Sequence, residues 1–201
     1  MFNVNNLSIR NRELIPLKGI NNNVEFITFH GLSDGKEHIA LKFSHCDGNS
    51  DPLVRIHSEC MTGDVFHSLR CDCGEQLTEA LSLMDKKGGI LLYLRQEGRG
   101  IGLYNKIDSY QLQRSGMDTY QANIELGFPQ DVRDFSIAAQ MLYALDVKSI
   151  KLLSNNPEKK IQLELHGISV SQLINTGTFL NEFNKDYLTT KKYKTNHILN
   201  V

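Results

Sequence analysis

The sequence lacks any apolar run that approaches the ~20 residues needed to span a bilayer. Its first ten residues, Met1–Arg10, also lack the apolar segment of a signal peptide. Neither sign of charge is in excess, because 22 basic residues face 23 acidic ones and the formal net charge is -1. A nearly neutral chain has no general attraction to nucleic acid or to an anionic membrane. These absences predict a cytoplasmic protein whose partners include no nucleic acid and no membrane.

Internal repeats and low-complexity linkers are lacking too, so nothing in the sequence divides the 201 residues into several domains. Hydrophobic residues make up 40% of the chain and charged residues 22%, which is ordinary for a globular protein with a sizeable core. Residues 1–23 are polar and rich in asparagine and predict a flexible N-terminal arm. Residues 191–201 predict a polar C-terminal tail. The folded domain is expected between them, over residues 24–190.

Short apolar runs and turn residues predict the order of the secondary structure. Strands are expected over residues 24–30, 38–43, 53–57, 90–94, 150–153 and 168–173. Helices are expected over residues 77–84, 103–115, 135–145 and 157–166, the third of them beginning near Asp131. The predicted fold class is α/β (α+β), a single domain with a mixed sheet. Antiparallel N-terminal strands are followed in it by alternating helices and strands.

Three of the four cysteines form a C-x10-C-x-C array of Cys60, Cys71 and Cys73. In the cytoplasm thiols stay reduced, and clustered cysteines there more often bind a metal than form disulfides. Thiolates are soft ligands that favour zinc. A structural zinc normally has four protein ligands, whereas a catalytic zinc keeps one position for water. The array therefore predicts a catalytic zinc site that activates a water molecule.

Two other interpretations of the array stay open. In one of them His45, His57 or His67 completes a structural zinc site with four protein ligands. In the other the cysteines bind no metal and pack within a core. Cys46 lies outside the array and is interpreted as a buried or half-buried residue without a role in the site.

Three further segments carry charged or Gly-rich loops. Arg95–Gly102 can bring backbone N–H groups and two guanidinium groups close to phosphate. Gly127–Phe135 places Arg133 among acidic residues that can orient it toward a phosphate. Leu153–Lys159 runs from a strand into a helix N-terminus, where α/β sheets bind ligands and the helix dipole favours anions. Each segment alone is also compatible with a surface turn or a helix cap.

Together these segments resemble GTP cyclohydrolase II, the enzyme family that opens the guanine ring of GTP at the start of riboflavin synthesis. The resemblance covers about residues 24–190, in order and at family-like spacing. It rests on Val54–Cys60, Gly63-Asp64, Ser68–Gly74, Arg95–Leu103, Asn105–Ile107, Asp118-Thr119, Ala122-Asn123, Leu126–Phe128, Asp131, Arg133–Phe135 and Asn155–Pro157.

The resemblance implies roles for individual residues. It implies that Cys60, Cys71 and Cys73 ligate one zinc ion per subunit. It further implies that Asp131 is the proton acceptor, that Arg133 attacks the α-phosphate and holds a transient guanylyl adduct, and that Tyr110 is an active-site tyrosine. The implied nucleotide-binding residues are Arg55, Ile56, His57, Ser58, Glu59, Gln76, Glu97, Gly98, Arg99, Thr119, Ser154 and Lys159.

The resemblance also implies the reaction and its partners. GTP is the small-molecule substrate, Mg²⁺ accompanies its triphosphate, and the enzyme works as a homodimer. The implied products are formate, pyrophosphate and 2,5-diamino-6-(5-phosphoribosylamino)pyrimidin-4(3H)-one. Two alternatives stay open: a paralogue that acts on GTP in a secondary-metabolite pathway, and a non-catalytic binding module that zinc stabilises.

Two positions depart from the pattern of the family. His67 stands where a small or apolar residue is usual, and it either packs away from the zinc or approaches it. Ser154 replaces the commoner threonine, keeps the hydroxyl group and loses a methyl group, so we expect little consequence. No synthase domain precedes the matching segments, which indicates the stand-alone form of the enzyme.

Overall fold

The computed structural model describes residues 6–43, 51–195 and 198–199. Its strands are β1 (Ser8–Ile15), β2 (Val24–His30), β3 (Ile39–Phe43), β4 (Leu53–Ser58), β5 (Gly89–Leu94), β6 (Ser149–Leu153) and β7 (Ser169–Ile174). Its α-helices are α1 (Met61–Asp64), α2 (Cys73–Lys87), α3 (Leu103–Arg114), α4 (Thr119–Glu125), α5 (Ser136–Ala144), α6 (Pro157–Leu165) and α7 (Lys185–Thr195). The predicted α/β domain with a mixed sheet is confirmed. Its residues group into two compact units that alternate along the chain.

The first unit comprises the described residues within 1–57, 78–94 and 135–176, and it carries the sheet. The strand order is β1-β2-β3-β5-β4-β6-β7. The pairs β1/β2, β2/β3 and β3/β5 are antiparallel, whereas β4/β6 and β6/β7 are parallel. The antiparallel start of the sheet therefore agrees with the prediction.

The apolar core of the first unit forms around the central strands. In β5 the residues Ile90, Leu91, Leu92 and Leu94 are all buried, which is typical of a strand covered on both faces. Residues of α5, with Phe135 just before it, belong to the same cluster as β4, β6 and β7. This continuous core gives the first unit its own source of stability.

The second unit comprises the described residues within 58–77, 95–134 and 177–201. It contains α1, the start of α2, a 3-10 turn over Glu97–Gly100, α3, α4 and α7. Helix α4 begins with a capping box, in which the Asp118 side chain accepts from the backbone N–H of Gln121 and the Gln121 side chain accepts from that of Asp118. Helices and loops make up this unit, and every catalytic and metal-binding residue predicted above lies in it.

Strand β1 was not predicted, and it lies within the residues expected to form a flexible arm. It pairs with β2 from Ser8 opposite His30 to Ile15 opposite Val24. Seven of its eight residues are exposed, so its sequence lacks the apolar alternation by which a half-buried strand is recognised. The predicted boundaries of the arm, the domain and the tail stay predictions.

The predicted start of a helix near Asp131 is wrong, because α5 begins at Ser136. The Asp131 carboxylate accepts a hydrogen bond from the backbone N–H of Arg133 at 3.1 Å. A local contact of this kind competes with helical hydrogen bonding and favours a turn. Among the described residues, no helix has the length and apolar character needed to cross a membrane.

Candidate active site

The second unit brings the thiols of Cys60, Cys71 and Cys73 together. Their Sγ atoms all lie within 4.8 Å of one another, and those of Cys60 and Cys71 are 3.7 Å apart. Cys60 directly precedes α1, and its backbone N–H donates to Asp64 Oδ2 at 3.0 Å. Cys73 is the first residue of α2. The starts of two helices thus position Cys60 and Cys73, and Cys71 lies two residues before the second helix. We call these three residues the cysteine trio.

Gly63 leaves the space beside the cysteine trio open. A Cβ atom at this position would lie 2.8 Å from the Sγ of Cys71 and 3.1 Å from the Sγ of Cys60. Only glycine therefore fits here without displacing a thiol. Three soft donors around a space that no side chain enters fit a zinc ion.

The pKa values of the three thiols also fit a metal. Hydrogen bonds from Cys71 and Cys73 lower the pKa of Cys60, and the charge of Lys106 acts in the same direction. A hydrogen bond to Cys60 raises the pKa of Cys71 to about 12. A separate hydrogen bond to Cys60 raises the pKa of Cys73 well above its ordinary value. One thiol of the trio therefore ionises readily, whereas ionisation of the other two has a free-energy cost. A bound dication removes that cost because it stabilises deprotonated thiols.

Among the described residues, no histidine belongs to the cysteine trio. His67 is exposed and has a left-handed backbone, with φ 53°. His57 lies on β4 and is not a member of the trio either. His45 and Cys46 lie outside the described residues. The described residues therefore supply three candidate metal ligands, the number typical of a catalytic zinc site.

Arg99 has an uncommon backbone conformation in the turn that follows β5. Its φ is 62°, and that of the preceding Gly98 is 60°. A non-glycine residue with positive φ is strained, and such strain concentrates at functional sites. The Arg99 guanidinium lies over the Tyr120 ring, 4.1 Å from its centroid. Its Nη1 is buried and has no hydrogen-bond partner among the described residues, so the position suits an anionic acceptor such as phosphate.

Asp131 and Arg133 form an ion pair close to Arg99. Arg133 Nε donates to Asp131 Oδ1 at 2.9 Å, and Arg133 Nη2 donates to Asp131 Oδ2 at 2.5 Å. The backbone N–H of Val132 donates to the Arg99 carbonyl oxygen at 3.1 Å, which joins the two loops. The sequence predicts both loops as candidate phosphate-binding segments, and the structure brings them together.

The ion pair fixes the charge states of its members. Burial acts to raise the pKa of Asp131, but the hydrogen bonds and charge of Arg133 outweigh burial, and the pKa is lowered. Burial acts to lower the pKa of Arg133, but Asp131 outweighs it and the pKa is raised. At neutral pH, Asp131 is therefore a carboxylate and Arg133 is a cation.

The side chains of two glutamates predicted to bind nucleotide have partners within the second unit. Glu59 Oε2 accepts from Arg95 Nε at 3.0 Å. Glu97 is buried; its Oε2 accepts from the backbone N–H of Met61 at 2.6 Å, and its Oε1 accepts from that of Gly98 at 2.7 Å. The Glu97 carboxylate thus supports the segment next to Cys60 rather than pointing into open space.

Tyr110 lies near the cysteine trio. Its hydroxyl oxygen is 3.4 Å from Thr62 Oγ1, which in turn is 3.7 Å from Cys60 Sγ. The Arg70 guanidinium lies over the Tyr110 ring at 4.2 Å from its centroid. The structure therefore places this predicted active-site tyrosine beside the candidate metal ligands.

Three other predicted nucleotide-binding residues are distributed over the second unit. Ser58 Oγ is buried and has no hydrogen-bond partner among the described residues. Gln76 Nε2 donates to Asp72 Oδ2 at 2.8 Å. Thr119 is the first residue of α4. Of the three, Ser58 presents the side-chain atom that most needs a polar ligand.

Helix α7 adds residues that the sequence pattern does not predict. Lys191 Nζ lies 3.6 Å from Asp72 Oδ1 and 4.2 Å from the centroid of the Tyr187 ring. The Arg99 guanidinium lies 5.9 Å from the centroid of the same ring. Asp72 is fully buried between Cys71 and Cys73 in the chain. The sequence contains no signal for these contacts, because α7 has no apolar periodicity. Lys191 therefore falls within the predicted polar tail.

The remaining predicted nucleotide-binding residues belong to the first unit. Arg55, Ile56 and His57 lie on β4, with Arg55 Nη1 donating to the Leu153 carbonyl oxygen at 3.2 Å. Their neighbours in this unit are Ser154, just after β6, and Lys159 in α6, both buried.

Lys159 lies in the first turn of α6, where the helix dipole disfavours a cation. In the structure its Nζ donates to the Ile56 carbonyl oxygen at 2.8 Å. The Nζ also lies 5.4 Å from the centroid of the Phe135 ring. The protein itself therefore provides contacts that favour this buried cation.

Comparison with known proteins gives a consistent result. A family model described as GTP cyclohydrolase II matches residues 13–175. The GTP cyclohydrolase-2 of Psychromonas ingrahamii is 56% identical over 192 residues, covering 94% of this chain and 96% of that protein. The GTP cyclohydrolase-2 of Vibrio cholerae is 54% identical over 182 residues, covering 90% and 92%. A riboflavin biosynthesis protein RibBA of Bacillus mycoides is 49% identical over 183 residues, covering 88% of this chain and 46% of that protein. The chain belongs to the GTP cyclohydrolase II family.

Proposed function

We propose that the protein hydrolytically opens the imidazole ring of GTP, the first step of riboflavin biosynthesis. The products are formate, pyrophosphate and 2,5-diamino-6-(5-phosphoribosylamino)pyrimidin-4(3H)-one. Family membership supports this reaction, with two relatives named GTP cyclohydrolase-2 aligned over nearly their whole length.

One structural observation carries the proposal. The cysteine trio and Arg99, whose buried Nη1 suits a phosphate oxygen as acceptor, occur within the same compact unit. The turn Glu97–Gly100 connects them, because Glu97 accepts from the backbone N–H next to Cys60 and Arg99 accepts from that of Val132. Ring opening of a nucleoside triphosphate needs both a source of activated water and a set of cations for the phosphates.

We assign Cys60, Cys71 and Cys73 as the ligands of one zinc ion per subunit. Bound in this three-thiolate site, zinc would lower the pKa of a water molecule toward neutrality for attack on the guanine ring. Tyr110 lies close enough to the trio to orient a reacting group through its hydroxyl. Gly63 keeps the space beside the thiols free of side-chain atoms.

Asp131 and Arg133 are proposed to act at the triphosphate. Attack of an Arg133 nitrogen on the α-phosphorus forms an N–P bond and breaks the P–O bond to pyrophosphate, which leaves with the electron pair. The attacking nitrogen must lose a proton, because a guanidinium cation is a poor nucleophile. Asp131 Oδ2 already accepts from Nη2, so it is the group placed to receive that proton. Hydrolysis of the N–P bond later restores Arg133.

Other groups are proposed to hold the nucleotide. Arg99 is placed to contact phosphate oxygens, and Mg²⁺ would accompany the triphosphate and offset its charge. The nucleotide-binding roles of Arg55, Ile56, His57, Ser58, Glu59, Gln76, Glu97, Gly98, Thr119, Ser154 and Lys159 remain part of this proposal. A homodimer in the cytoplasm is proposed as the working form.

The test uses the purified protein with GTP, Mg²⁺ and Zn²⁺, and measures formate and pyrophosphate separately. We expect both products from the unmodified chain. Cys60→Ser should abolish formate release while pyrophosphate release persists, because the phosphate chemistry relies on Asp131 and Arg133. The matched control Cys46→Ser leaves the C-x10-C-x-C array intact and should release both. Absence of formate from folded, zinc-loaded protein would refute the proposed reaction.

A further inference from the structure

Lys106 is a buried lysine that the proposed reaction does not use. It lies on α3, and its side chain is only 10% exposed. Its Nζ lies 3.2 Å from Cys60 Sγ and 2.8 Å from Glu97 Oε1. Burying an ammonium group is costly unless the group is paired and hydrogen-bonded. The sulfur and the carboxylate supply that pairing.

Glu97 is itself held in place by the backbone. Its two carboxylate oxygens accept from the N–H groups of Met61 and Gly98 at 2.6 and 2.7 Å. Met61 directly follows Cys60, so Glu97 accepts a hydrogen bond from the backbone next to Cys60. Glu97 also binds Lys106, which contacts the Cys60 sulfur. The result is a closed set of contacts that fixes Lys106 Nζ relative to Cys60 Sγ.

The charge of the proposed metal centre explains why a buried cation lies beside Cys60. Three thiolates around a dication carry a net charge of about -1, because each deprotonated thiol contributes one negative charge. In a buried site a net charge is unfavourable unless an opposite charge lies near. Lys106 provides a positive charge in contact with one of the ligand sulfurs.

We infer that Lys106 is a positioning residue of the metal centre, held by Glu97. Its ammonium donates a hydrogen bond to the Cys60 sulfur and balances the charge of the three-thiolate zinc site. Partners of this kind orient metal ligands and raise the affinity for the metal. A direct contact with substrate phosphate is less compatible with the geometry, since Nζ is buried and already has an acceptor on each of two sides.

The inference rests on the proposed zinc site but not on GTP as the substrate, so metal affinity tests it without turnover. Zinc dissociation constants are measured by competition with a chromophoric chelator. Lys106→Met is expected to weaken zinc binding about 10–100-fold. Lys106→Arg keeps a cationic donor and should recover part of that loss. The control Arg114→Met removes an exposed cation from the same helix and should leave the affinity unchanged.

Two further measurements separate this role from a general loss of stability. Because Lys106→Met leaves the Glu97 carboxylate buried without its cation, the double variant E97Q/K106M removes both charges and should fold more stably than Lys106→Met while still binding zinc weakly. In the cobalt-substituted protein, Lys106→Met should shift the thiolate-to-metal charge-transfer band, which Arg114→Met should not do. Unchanged zinc affinity in both folded Lys106 variants would overturn the inference. Failure of the unmodified protein to bind zinc would overturn it together with the proposed zinc site.

Discussion

The ion pair of Asp131 and Arg133 shows how one contact sets two chemical states. Arg133 keeps Asp131 ionised, which makes the carboxylate available as a proton acceptor. Asp131 raises the pKa of Arg133, which makes loss of a proton from the guanidinium harder. In the proposed reaction, proton transfer between them therefore has to accompany formation of the N–P bond, because a guanidinium cation is a poor nucleophile. The same pair also contributes to the stability of the loop, and this contribution can be measured by itself.

We expect Asp131→Asn to lower the free energy of unfolding at pH 7 by about 1 kcal/mol, because it removes the charge that holds Arg133. The folded-state pKa of Asp131 is lowered, so its stabilising effect is fully present above the unfolded value of about 3.9 and is lost as the pH falls through the folded value. The penalty should therefore be constant between about pH 7 and 5 and shrink only below about pH 4. Urea unfolding at a series of pH values measures it.

The control for this prediction is Asp108→Asn, which makes the same change at an exposed position on α3. It should have little effect at any pH, since surface substitutions are usually within about 0.5 kcal/mol. A penalty for Asp131→Asn that already shrinks between pH 7 and 5 would mean that Asp131 titrates there, against the lowered pKa.

Residue types and spacing predict part of the site, while backbone geometry decides the rest. The three thiols and the pairing of Arg133 with an acidic neighbour follow from the sequence, because the groups are close in the chain or form a recognisable array. Gly63 is important because it leaves space beside the thiols. Lys106 is important because it contacts Glu97 and Cys60, which lie 9 and 46 positions away in the sequence. Such contacts depend on the fold, so no local pattern reveals them.

At the scale of elements, apolar strands and helices were the predictable ones. The predicted range 24–30 coincides with β2, and the range 90–94 differs from β5 by one residue. Both belong to the first unit, where burial imposes a clear pattern. Helices α1 and α4 have four and seven residues, too few to display helical periodicity. Helix α4 did offer one signal, the capping box of Asp118 and Gln121.

Helix α7 was missed for a different reason: its apolar residues show no helical periodicity, although Leu188 is fully buried. It begins at Lys185, after the end of the segment that matches the family model at residue 175. It nevertheless brings Lys191 to the buried carboxylate of Asp72 and Tyr187 to within 5.9 Å of Arg99. These contacts connect the C-terminal helix to the loop that carries two of the candidate metal ligands.

We expect Lys191→Met to lower the free energy of unfolding by about 3 kcal/mol, because Asp72 is left buried without its cation. Lys185→Met is the matched control, since Lys185 is an exposed residue at the start of the same helix. Chemical unfolding followed by circular dichroism compares the two. Equal stabilities of the two variants would show that the contact of Lys191 with Asp72 contributes nothing measurable.

At the scale of the whole molecule, the chain passes repeatedly between two compact units. No shift of composition and no linker marks these passages, so the sequence does not reveal them. The first unit contains the large apolar cluster around the sheet. Fully buried apolar side chains are fewer in the described part of the second unit, where Tyr120, Ala122 and Leu188 are examples. The second unit therefore depends more on polar contacts and on its candidate metal ligands.

Metal removal should accordingly affect the two units differently. If zinc binds the cysteine trio as proposed, a chelator that strips it should remove a cross-link between α1, the residues around Cys71, and α2. Hydrogen exchange followed by mass spectrometry should then show faster exchange in α3 and α4, while β2, β3 and β5 remain protected by the apolar core. The strands serve as the internal control in the same sample. Equal acceleration in both units would mean that zinc stabilises the whole domain as one cooperative unit, and no change in either would mean that the trio contributes nothing to folding.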